Sequence, residues 1–295
     1  MIKKSVICCV VLLLLHLIFV LRYPHKGIVT HQWQANSNRA QQYMYEDSKD
    51  TVIVGSSLSE RILLDSIPMV SSLSFSGCGV EDGLRIILCK GDVPKYILVE
   101  SNIIFRNASP KLFSGITEGP MPILREWLPS LREKYEPICI YNDYFEGFYW
   151  NYLWEEPTLE KKKNKDENVN KSKEDEIFNS EIERHIKSDG VLSDVALNER
   201  LSTIKQLMNE LSNRGAQFVF FEMPVNERVT NLKKHVQTRT VLKKEFPPSK
   251  YVYLPIDTAK YKTADGFHLN YYESEKFSHY FRKLLQEENV FQRKR

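Results

Sequence analysis

Acyl transfer by a side-chain alcohol needs few parts. A serine loses its proton as it attacks a carbonyl. A histidine takes that proton and later returns it. A carboxylate holds the imidazole in the useful tautomer, and N–H donors receive the developing oxyanion. The sequence offers such groups at four places. In "TVIVGSSLSERI" (Thr51 to Ile62), Ser56 and Ser57 sit where a β-branched run changes to helical spacing. "SGCGVEDG" brings Gly77 and Gly79, and "LVESN" ends at Asn102. "ADGFHLN" holds Asp265 and His268 in the only D-x-x-H of the chain. Each group also has an ordinary use. Ser56 and Ser57 suit the N-cap of a helix starting near Leu58. Gly77 and Gly79 suit plain turns, Asn102 an Asx turn, and His268 a buried structural site. His16, His25, His31, His185, His235 and His279 stand in no comparable setting. No His/Cys spacing suggests zinc, and no cofactor is expected.

The elements that must position these residues alternate. Thr51 to Val54 reads as a strand and Leu58 to Leu64 as a helix. A second strand is expected in Met69 to Gly77, a helix in Val80 to Lys90, and a third strand in Lys95 to Asn102. That last run is apolar on successive residues, which suits a parallel strand covered on both faces. "MPILREWLPSLREKY" (Met121 to Tyr135) has partial helical spacing, interrupted at Pro129. Leu197, Leu201, Ile204, Met208 and Leu211 share a helix face that ends at Gly215. "AQFVFFEMPV" and "KYVYLP" (Lys250 to Pro255) read as strands. The chain closes with an amphipathic helix, Glu273 to Glu287, carrying Phe277, Tyr280, Phe281 and Leu284 inward. This alternation predicts an α/β layer fold with a mostly parallel sheet. In such sheets the chemistry gathers at the carboxyl ends of the strands, where the four places fall.

The amino terminus is different in kind. Lys3 and Lys4 precede an apolar run from Val6 to Leu21, broken only by His16. As a helix the run reaches about 25 Å, enough to cross a bilayer core. No small-residue cleavage site follows, so residues 1–21 are read as an uncleaved signal anchor. The two lysines favour a cytoplasmic amino terminus, with the bulk of the chain outside the cytoplasm. Polar residues 22–49 read as a stalk, and residues 50–295 as the domain, with a charged insertion at about 155–190. "KKKNKDENVNKSKEDE" (Lys161 to Glu176) is expected to be a solvated, mobile excursion. "YNDYFEGFYWNYLW" (Tyr141 to Trp154) offers aromatic faces either to a sugar or to core packing. The net charge of +3 over 295 residues, with no basic stripe, argues against nucleic acid as a partner. Beyond the anchor, Cys78, Cys89 and Cys139 are an odd set, which is no disulfide framework.

Taken in order, the four places resemble the blocks of the SGNH (GDSL-type) hydrolase family. The resemblance covers residues 51–102 and 251–287. It implies a three-layer α/β domain, SGNH/flavodoxin-like, behind one transmembrane helix. It also implies Ser57 as nucleophile, with Ser56 in place of the usual Asp. Asp265 becomes the orienting acid and His268 the base, with Gly77 and Asn102 donating to the oxyanion. Two positions depart from the family pattern: Glu100 stands for a Gly and Ile103 for an Asp. An anchor, a stalk and Gly-Ser-Ser resemble one subgroup in particular, the teichoic-acid D-alanyl transfer and glycan O-acetylation proteins. That subgroup implies an acyltransferase or esterase acting on envelope glycans or glycolipids, with a polytopic membrane-bound O-acyltransferase as partner. The alternative is a non-catalytic scaffold of the same fold in a glycan acylation or export complex.

Overall fold

A computed structural model describes residues 2–22, 31–46, 49–140 and 167–287. The aromatic stretch Tyr141 to Trp154 and most of the charged run lie outside the described residues. In chain order the helices are α1 (Ile2–Arg22), α2 (Gln32–Tyr45), α3 (Val80–Lys90), α4 (Pro110–Thr117), α5 (Met121–Trp127), α6 (Glu167–Lys187), α7 (Asp194–Asn213), α8 (Glu227–Thr230), α9 (Lys233–Glu245) and α10 (Tyr271–Glu287). The strands are β1 (Thr51–Ser56), β2 (Val70–Phe75), β3 (Tyr96–Glu100), β4 (Gln217–Phe221) and β5 (Val252–Tyr253).

Two compact units divide the chain. One comprises Met1–Tyr45 with Ser114–Glu167, the other Glu46–Phe113 with Asn168–Arg295. Inside the first unit, α1 exposes most of its apolar side chains, Val20 being buried, and Ile2–Val20 is long and apolar enough to cross a membrane. Much of the expected stalk is helix α2, held by amides where most helices use an apolar stripe. Gln34 Nε2 donates to Glu136 at 3.0 Å, and the backbone N–H of Glu133 donates to Gln41 Oε1 at 2.8 Å. Hydrophobic periodicity cannot reveal a helix tied down in this way. The Met121 to Tyr135 segment breaks at Pro129 as expected, into α5 and two short 3-10 turns.

The second unit carries a five-stranded, all-parallel sheet in the order β2-β1-β3-β4-β5. Its strands form where β-branched and aromatic residues run together. β1 and β3 are buried at every position. Side chains alternate across the sheet. Ile53, Leu98, Val219 and Phe221 join Phe277 and Phe281 of α10 in one apolar cluster, while α3 packs on β1 and β2. The register pairs Ser56 with Phe75 and Glu100 with Phe221, so the carboxyl ends line up along one edge.

Local differences from the sequence reading have local causes. Leu58 to Leu64 is not an α-helix but the 3-10 turns Ser59–Arg61 and Leu64–Ser66. Here tertiary acceptors replace the i−4 carbonyls: Ser59 N–H donates to Glu100 and Leu63 N–H to Ser278 Oγ. At the sheet edge, Lys250 to Pro255 contributes only Val252–Tyr253. From Glu167 onward the charged insertion is helical, and its end is anchored by the fully buried Ile182. On α10, Leu285 is fully buried, whereas Tyr280 is half-buried with its hydroxyl on the Pro255 carbonyl.

Candidate active site

Ser57 follows β1 directly and is half-buried. Its Oγ lies 2.8 Å from Nε2 of His268. The other ring nitrogen, Nδ1, lies 2.7 Å from Oδ2 of Asp265. Residues 211 positions apart in sequence thus meet in one hydrogen-bonded series. The far end is built by a tight loop. Asp265 Oδ1 accepts from the backbone N–H groups of Phe267 and His268, at 3.0 and 2.7 Å. Gly266 stands between them at φ +91°, a region L side chains rarely adopt. A Cβ there would also press on Ile182 at 2.9 Å. Burial works to raise the Asp265 carboxyl, but the His268 ring and the two backbone N–H groups outweigh it. The carboxyl is held well below the usual carboxylate range, which suits an acid that orients and stabilises an imidazolium without taking its proton.

The serine cluster divides its labour. Ser56 Oγ accepts from the Leu58 N–H at 3.2 Å, a local turn bond and not a helix cap, since the 3-10 turn Ser59–Arg61 has no side-chain cap. Ser56 also donates its hydroxyl and its N–H to the carboxyl of Glu100, both at 2.8 Å. Ser59 does the same, at 2.7 Å from Oγ and 3.1 Å from N. Glu100 is fully buried at the end of β3, and these four donors satisfy a group that would otherwise be costly to bury. Gly55 makes the arrangement fit: a Cβ there would lie 2.1 Å from Ser59 Oγ and 2.7 Å from Glu100 Oε2. Glu100, which departs from the family pattern, thus ties down the turn that presents Ser57.

Of the two expected oxyanion donors, Asn102 lines the same cavity as Ser57. Its amide is set by the Met223 backbone, accepting from the N–H at 2.7 Å and donating to the carbonyl at 2.9 Å. One Nδ2–H remains for another acceptor. Gly77 sits in the turn after β2 at φ +77° and is not among the residues lining the cavity. The cavity is about 550 Å³, within the range usual for small-molecule sites. Its wall also includes Arg106, Arg184, His185, Arg200, Lys234 and His235, none of which the sequence reading selected. Arg106 lies just past Asn102. The others sit on helices, where no strand-end rule points to them. Among the described residues, no group of three His, Cys, Asp or Glu side chains is placed to hold a metal ion. Cys78 and Cys139 are buried thiols and Cys89 an exposed one, and none of the three is in a disulfide among the described residues.

Neither a protein-family model nor a curated protein matches the chain.

Proposed function

We propose that the chain is a membrane-anchored, extracytoplasmic acyltransferase or acyl esterase of SGNH type, acting through Ser57 on envelope glycans or glycolipids. One observation carries this reading: the series Ser57 Oγ, His268, Asp265, with links of 2.8 and 2.7 Å. Ser57 Oγ attacks the acyl carbonyl of a donor ester as His268 Nε2 takes the hydroxyl proton. The bond from the carbonyl carbon to the donor's oxygen breaks, and His268 returns the proton to that leaving oxygen. An acyl-serine remains. A glycan hydroxyl, or water, then attacks it and gives its proton to His268, which passes it back to Ser57. Asp265 stabilises the imidazolium at each stage. Asn102 Nδ2–H is the oxyanion donor of this scheme; Gly77, outside the cavity lining, is given no part in it.

Several features support the SGNH-type reading. The nucleophile follows the first strand, the Asp-x-x-His block precedes the last helix, and the helices beside the parallel sheet are read as the outer layers of a three-layer domain. The exposed apolar helix α1 supports anchorage. A polytopic O-acyltransferase that delivers acyl groups across the bilayer is the partner this arrangement calls for.

The test uses the purified full chain and p-nitrophenyl acetate. Turnover is expected to fall at least about a thousandfold in Ser57→Ala and in His268→Ala. Turnover that is equal in wild type and both variants supports the non-catalytic scaffold in its place.

A further inference from the structure

The wall of the Ser57 cavity is unbalanced in charge. Among the described residues Asp265 is its only acidic side chain, and that carboxylate is committed to His268. Against it stand Arg106, Arg184, Arg200 and Lys234. Arg184 has a partner in Glu181. The other three have no carboxylate within ion-pair distance among the described residues. Two of them are held in place by backbone carbonyls. Arg200 Nη1 donates to Phe105 at 2.9 Å, and Arg106 Nη1 reaches the Cys78 carbonyl at 3.4 Å. Lys234, the second residue of α9, holds its ammonium 5.6 Å from the Phe267 ring centre, next to the Asp265 loop. Its charge is disfavoured mainly by burial; the pull of Asp189 opposes this, and Arg106 adds a smaller push in the direction of burial. Among the described residues, Arg106 and Arg200 bring charge to this wall without a carboxylate at ion-pair distance, and such charge destabilises the protein unless an anion joins it.

A second observation lies on the same wall. His235 is 2% exposed and lines the cavity, yet its Nε2 has no hydrogen-bond partner among the described residues. A buried ring nitrogen left without a partner is costly, and a ligand hydroxyl satisfies it. Charge and orphaned nitrogen together describe a polar ligand with both hydroxyl and anionic groups.

Resting on the acyl-transfer reading, we propose that the glycan acceptor of this site is anionic, with a sugar carboxylate or phosphate held by Arg106, Arg200 and Lys234 beside Ser57. These three residues position the acceptor and take no part in the proton transfers.

Binding is measured by calorimetry on the full chain in detergent, in a Ser57→Ala background so that nothing turns over. The probes are methyl glucuronide, glucose 6-phosphate and methyl glucoside. At least one anionic sugar is expected to bind about tenfold or more tightly than the neutral one, with the preference fading as salt is added. The better of the two anions names the carboxylate or phosphate class. Lys234→Glu and Arg106→Glu abolish the preference, and the milder Lys234→Gln and Arg106→Gln reduce it if the reversals fail to fold. Equal binding of all three sugars overturns the proposal, as does a preference untouched by folded variants at Arg106 and Lys234. Ester turnover by the wild-type chain is read in parallel. Ser57-dependent turnover without anion preference sinks only this proposal, whereas anion preference without Ser57-dependent turnover sinks only the acyl-transfer reading.

Discussion

Ser57 owes its position to residues that take no part in the proposed chemistry. Glu100 gathers two hydroxyls and two N–H groups from Ser56 and Ser59 beneath the turn. Glu100→Ala leaves these buried donors without an acceptor and is expected to destabilise the protein by about 3 kcal/mol, measured by chemical denaturation. Asp265→Asn keeps the shape of the loop but changes the tautomer of His268. It is expected to lower kcat for p-nitrophenyl acetate by up to about ten-thousandfold. His235 provides a pH signature. Burial, then Lys234 and Arg239, lower its pKa from 6.5 to about 4, against the opposing pull of the Asn102 carbonyl and Asp189. The ring is neutral when folded and takes a proton on unfolding below its ordinary pKa. Its contribution, at most about 3 kcal/mol, is complete above pH 6.5 and is lost as the pH falls towards 4. Thermal melting against pH should show this limb in the wild type and a flatter one in His235→Phe. At this scale the sequence pointed to the three residues that the fold joins by hydrogen bonds, because Asp265 and His268 form its only D-x-x-H. The support from Glu100 was not legible, since the carboxyl answers to residues more than forty positions away.

At the level of elements, legibility followed periodicity. β1, β3 and β4 were readable because their β-branched and aromatic residues run together, and α3 and α7 because their apolar faces repeat. α2 was not, since buried amides hold it, and the Ser59–Arg61 turn was not, since Glu100 replaces the next helical carbonyl. The last helix links packing to the site. Phe281 is fully buried, with its ring 5.0 Å from Phe221 and 5.7 Å from Phe277, and α10 begins three residues after His268. Phe281→Ala is expected to cost about 3–5 kcal/mol in denaturant melts, with loss of esterase activity well before global unfolding. Unchanged stability would mean that α10 does not hold the His268 loop in place.

At the scale of the whole molecule, one unit holds the apolar helix α1 and the other holds the parallel sheet. Lys3 and Lys4 place the amino terminus in the cytoplasm on the proposed topology. The chain is expected to stay with membranes through alkaline and high-salt washes. Protease added to intact spheroplasts should digest the part beyond Arg22, and digestion only after lysis would reverse the topology. The cationic cavity shows where sequence reading stops at this scale. Arg106, Arg200 and Lys234 come from three distant parts of the chain, with charges typical of solvated surfaces, and only the fold brings them to one wall.

The central claim is that Ser57 is a nucleophile activated by His268. Intact-protein and peptide mass spectrometry after treatment with a fluorophosphonate tests it most directly. The account predicts one adduct on the full chain, carried by the peptide containing Ser57 and absent from both Ser57→Ala and His268→Ala. An adduct on any other residue, or equal labelling of the wild type and Ser57→Ala, contradicts it.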